Sequence, residues 1–155
     1  ITALQRFLKE YPDSKYANQV NDILASTFLS TKNYNAALSA INEIKRPGRQ
    51  ILQAKQIIYF RLGTQDFINS DYASALRNFN ACIDMGSYDV KTRNESYFWK
   101  GEILYREGNY SSAGANYQTY ISGASVNDAN YGLALYNLGY VNVKGKNYGK
   151  ALRNF

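Results

Sequence analysis

Alanine and a large apolar residue four positions later recur along this chain as Ala37/Ile41, Ala75/Phe79, Ala113/Tyr117 and Ala151/Phe155. A tyrosine stands three residues before each alanine: Tyr34, Tyr72, Tyr110 and Tyr148, each 38 residues after the last. Residues at i−3, i and i+4 lie on one stripe of a helix, so each set marks a helix with one apolar face. A second column stands twelve residues before each alanine and is always small: Ala25, Gly63, Gly101 and Gly139. Leu24, Leu62 and Leu138 precede three of these residues, and Tyr59, Tyr97 and Leu135 lie one turn before three of them. Glycine costs about 1 kcal/mol in a helix interior, so three at one repeat phase imply close approach of a partner helix. The expectation is that the glycine packs against the alanine of the second helix, small against small.

The pattern predicts an all-α fold of stacked helix pairs, a solenoid with a period of 34–38 residues. A truncated helix is expected at 2–11, then pairs at 14–31 with 33–46, 49–69 with 71–85, 89–107 with 109–121, and 128–145 with 147–155. Ser14 and Asp128 are the expected N-caps. The first helix counts as a half-unit because Ala3 and Phe7 repeat the second-helix spacing and Ala3 precedes Ala37 by 34 residues. The whole of 1–155 reads as one repeat domain: a partial repeat at 1–13, repeats at 14–47, 48–87 and 88–124, and a partial repeat at 125–155. A start at Ile1 and an end on the repeat position of Phe155 suggest a piece of a longer array. Lys100 stands in the column of Leu24, Leu62 and Leu138, and Asp66 and Asn142 stand where Phe28 and Leu104 do, which leaves the buried face of those first helices open.

These columns resemble the tetratricopeptide repeat family, carried by Leu62-Gly63, Ala75 and Phe79, by Gly101, Gly108, Tyr110 and Ala113, and by Leu138-Gly139, Ala151 and Phe155. The resemblance implies a right-handed superhelix whose first helices line a concave groove for an extended or helical peptide. Carried over by phase, the groove residues are Phe60, Phe98 and Tyr136 in one column, Thr64, Glu102 and Tyr140 in the next, and Phe67, Tyr105 and Val143 in the third. The aromatic columns either line that groove or pack between units; both readings stand at this point. The family's clamp for a C-terminal carboxylate needs Lys and Asn where this chain has Asp22, Ser26, Phe60 and Thr64, so a chaperone-tail adaptor is not expected. Phe7-Leu8-Lys9-Glu10-Tyr11-Pro12-Asp13-Ser14 is similar to the helix end and turn of bacterial envelope tetratricopeptide proteins of the Tol-Pal coordinator and β-barrel assembly lipoprotein type. That similarity implies a periplasmic or envelope location, with a cytoplasmic one as the alternative.

Composition narrows the chemistry. With 45% hydrophobic and 19% charged residues the chain is in the globular range, and its longest apolar run, Ile57-Ile58-Tyr59-Phe60, is broken by Arg61, so no membrane span is expected. There is no histidine, and Cys82 is the single cysteine, so the usual acid–base partner for a nucleophile, a disulfide and a paired-cysteine metal motif are all missing. No catalytic residue, cofactor or metal site is therefore expected. Gly145-Lys146-Asn147-Tyr148-Gly149-Lys150 has three rather than four residues between its glycines and follows repeat phase, not a phosphate loop. Glu95 and Glu102, seven apart on one helix, read as a solvated face before a catalytic pair. The net charge of +6 comes from scattered Lys and Arg, densest at Lys45, Arg46, Arg49 and Lys55. A protein or peptide is the expected partner. A basic module binding nucleic acid through surface Lys and Arg is the alternative. End-to-end self-association through Ala151 and Phe155 is a third expectation.

Overall fold

The computed structural model describes residues 2–145. The second helix expected at 147–155, with Tyr148, Ala151 and Phe155, lies outside the described residues, as do the glycine-lysine stretch beyond Gly145 and the proposed self-association end. The described residues form eight helices and no strand: α1 Thr2–Glu10, α2 Ala17–Ser30, α3 Tyr34–Asn42, α4 Arg49–Ile68, α5 Tyr72–Asp84, α6 Val90–Arg106, α7 Tyr110–Gly123 and α8 Tyr131–Lys144. The all-α stack of helix pairs is as the spacing predicts: α2 with α3, α4 with α5, α6 with α7.

Each second helix begins exactly at its repeat tyrosine because the residue before it caps the helix. The side chains of Asn33, Asp71 and Asn109 accept hydrogen bonds from the backbone N–H groups of Ala36, Ser74 and Ser112. The turns into α5 and α7 are copies of one another. Ser70 and Gly108 donate to the carbonyls of Phe67 and Tyr105, and Asp71 and Asn109 donate to those of Asp66 and Leu104, which closes α4 and α6 with a Schellman motif. The residue ending that motif is itself the cap of the following helix.

Ser14 and Asp128 do not cap helices. The Ser14 hydroxyl accepts from the Tyr16 N–H within a turn, and the Asp128 carboxylate accepts from the Ser125 N–H, 3.0 Å away, folding its loop on itself. Both α2 and α8 consequently start three residues later than the sequence suggests, after Tyr16 and Asn130, with no side-chain cap. Asp89, not foreseen as a cap, accepts from the Thr92 N–H and opens α6.

Each helix packs on the next in the chain from α1 to α8, except that the first helices also meet directly, α2 on α4 and α4 on α6. The glycines at the tight crossing face rings. A methyl group built on Gly63 would stand 2.7 Å from the Phe79 ring, and one on Gly101 would stand 2.8 Å from the Tyr117 ring. The expectation of glycine packed against alanine is thus corrected: the room is taken by the large residue one turn further along the second helix.

The core runs through the stack in three clusters. Leu24, Phe28, Ile41, Ile51 and Ile58 fill the first, Ala75, Phe79 and Ile103 the second, and Phe98, Tyr117, Tyr120 and Leu138 the third. Trp99 packs against both the second and the third. Polar side chains on the first helices fasten the chain leaving each pair. Fully buried Gln56 donates to the carbonyls of Cys82 and Gly86, 2.8 and 2.7 Å away, and accepts from the Asp89 N–H at 2.5 Å. Asn94, 38 residues on, donates to the Tyr120 carbonyl at 3.1 Å, and Asn21 accepts from the Gly48 N–H at 2.6 Å.

Candidate functional site

The nine residues assigned to the groove by phase divide into a packed set and an open set. Phe98 is 1% exposed and sits in the core with Tyr117 and Tyr120, at ring-centroid distances of 6.1 and 5.5 Å. It leaves the groove set; a partner could touch it only by parting α6 from α7. Phe60 holds the equivalent place one unit earlier, 6.0 Å from the Phe79 ring, but is only half-buried. The column of Phe60 and Phe98 therefore leans toward the following helix, and of the two open readings the packed one applies to Phe98.

Phe67 is half-buried between Tyr72, at 5.3 Å, and Trp99, at 4.9 Å, with the Arg106 guanidinium 5.3 Å above its ring. Thr64 donates to its own helix at the Arg61 carbonyl. Tyr105, Tyr140 and Tyr136 form a connected aromatic run across α6 and α8. Tyr105 meets Tyr140 edge-on at 6.0 Å, and Tyr140 stacks on Tyr136 at 6.5 Å. Val143 is half-buried on α8.

Between these rings lies a polar junction of three helices. Glu102 on α6 accepts, on its Oε1, from the Tyr117 hydroxyl of α7 at 2.6 Å and from the Asn137 amide of α8 at 2.5 Å. Burial, reinforced by the hydrogen bond to Glu102 and its charge, pushes the Tyr117 phenol far above its ordinary range, so it remains a donor. Burial likewise raises Tyr105, with the neighbouring Tyr140 and Tyr110 adding to the shift. Arg61, Trp99 and Asn137 share one repeat position, and each reaches back to the preceding unit: to Leu29 and Tyr34, to Phe67, and to Glu102.

Ile23, Ile68 and Leu133, outside the three phase columns, extend the surface that Tyr136 and Tyr140 open. Ile23, Ile68, Leu133, Tyr136 and Tyr140 are 52, 79, 49, 58 and 36% exposed. All five are on first helices. Measured from the small residue of each unit at 100° per residue, they fall in a single arc roughly 120° wide that also contains Thr64, Phe67, Glu102 and Tyr105. The second helices α3, α5 and α7 carry no large exposed apolar residue among the described residues. In the sequence Ile23, Ile68 and Leu133 lie two before, five after and six before their small residues, beside the three columns on the helix rather than within them.

Other chemistry is sparse. Burial raises the Cys82 thiol above its ordinary value, which keeps it protonated and unreactive. A cleft of about 550 Å³ opens between α1 and the α3–α4 connection, lined by Arg6, Lys9, Lys45 and Arg46 together with Glu10 and Glu43; none of the nine residues borders it. No helix among the described residues is long and apolar enough to cross a membrane. No family model matches the chain, and no curated protein matches it either.

Proposed function

We propose that the chain is a non-enzymatic interaction scaffold of tetratricopeptide-like repeats, whose first helices form the concave side of a superhelix and bind a peptide or helix of a partner protein. One observation carries this reading: the exposed large apolar residues of the paired helices, apart from Val90 at the start of α6, gather on one arc of the first helices. Exposed apolar residues scattered singly need no explanation, whereas a set confined to one face of successive repeats supports a docking surface. Rings and branched aliphatics there offer contact area at small entropic cost. The envelope location belongs to the same proposal and rests on the Phe7–Ser14 segment alone.

The test is display of a random dodecamer peptide library against the immobilised chain, compared with an Ile68→Ser/Leu133→Ser variant. Enrichment of peptides by the parent, lost in the variant while the circular-dichroism melt is unchanged, is expected. Equal enrichment by both would move binding off this arc. Capture of a single-stranded oligonucleotide that collapses between 50 and 200 mM salt, with no peptide enriched, would favour the basic surface instead.

A further inference from the structure

We propose that Glu102, Tyr105 and Tyr140 form a subsite for a cationic side chain, Lys or Arg, of the partner peptide. The inference rests on the peptide-binding reading above and specifies what the α6–α8 part of the arc selects. Glu102 is a half-buried carboxylate whose donors among the described residues are two neutral groups, the Tyr117 hydroxyl and the Asn137 amide. Both fall on Oε1, and Oε2 accepts from none of the described residues. A carboxylate drawn partly out of water without a cationic partner among the described residues gains from one that arrives with the ligand, because charge-assisted hydrogen bonds are stronger than neutral ones.

Rings on or beside the arc already attract cations. Lys144 places its ammonium 5.5 Å from the Tyr140 ring centre, and Arg106, on the same arc, lies over Phe67 and Tyr72 at 5.3 and 5.6 Å. Tyr105 lies edge-on to Tyr140 and one turn along α6 from Glu102, close enough for the carboxylate's charge to help raise its phenol. A carboxylate beside π-faces suits an ammonium or guanidinium and disfavours an acidic side chain.

The library selection tests this through sequence preference. Peptides enriched by the parent are expected to carry Lys or Arg at one fixed position, about threefold to tenfold above the library background. Glu102→Gln keeps an acceptor for Tyr117 and Asn137 and is expected to abolish that preference while apolar positions stay enriched. Tyr140→Leu, at a partly exposed position, is expected to weaken it. Enriched peptides without a basic position, or a preference unchanged in Glu102→Gln, would overturn the subsite and leave the groove standing. Failure of the parent to enrich any peptide would remove both.

Discussion

Ser70 is the one residue other than glycine with a positive φ among the described residues, at 61°, and 38 positions later the same turn is made by Gly108 at 81°. An L side chain in that region is strained and glycine is not, so Ser70→Gly is expected to raise stability by about 0.5–1 kcal/mol, read from urea midpoints. Gly63 argues in the opposite direction. Its missing methyl makes room for Phe79, whereas the first unit pairs Ala25 with the slimmer Ile41 at the same 16-residue separation. Gly63→Ala is expected to cost about 1–3 kcal/mol through overpacking, less the roughly 1 kcal/mol that alanine gains in helix propensity. In a Phe79→Ile background the same change should cost nothing or stabilise. A double-mutant cycle showing no coupling between the two positions would mean that the ring does not set the glycine.

Polar side chains on the first helices fasten the segments that follow them, in addition to the caps at the helix ends. Gln56→Leu would strip partners from the Cys82 and Gly86 carbonyls and the Asp89 N–H together, where Asn94→Leu strips one from Tyr120. At about 1–3 kcal/mol for each buried group left unsatisfied, the glutamine variant should lose clearly more stability and show faster amide exchange at Asp89. Equal losses would deny the clip. The sequence revealed the helices and their pairing because apolar spacing is a local property, and the 38-residue period multiplied the signal. Gln56 was not legible, since a polar residue in a helix reads as surface until the next unit closes over it. The caps at Asn33, Asp71 and Asn109 are legible as a column just before each tyrosine, whereas Ser14 and Asp128 stand before first helices, where no such column exists.

Stacked repeats tie each residue's fate to its neighbours above and below, which is why Phe98 could not be assigned from its own helix. Phase put it on the open arc, but Tyr117 and Tyr120 arrive from α7 and enclose it. The same enclosure makes the α6–α8 end of the molecule sensitive to alkali. Tyr117 and Tyr120 are both fully buried, and the Tyr120 hydroxyl has no hydrogen-bond partner among the described residues. Burial, with Glu95 and Asp128 adding negative charge nearby, pushes Tyr120 up to about 12, and Tyr117 lies higher still. A tyrosine whose pKa is raised on folding keeps its proton in the folded chain where the unfolded chain has lost it. Its contribution is full below the unfolded value near 10 and is lost as pH climbs through the folded one. Stability should therefore be flat to about pH 10 and then fall by up to about 1.4 kcal/mol per pH unit for each such tyrosine. Tyr120→Phe, which removes an unpartnered hydroxyl, should be neutral or mildly stabilising at pH 7 and should shallow the decline between pH 10 and 12. Guanidinium midpoints that fall as steeply in Tyr120→Phe as in the parent would show that this ring is not held protonated by the stack.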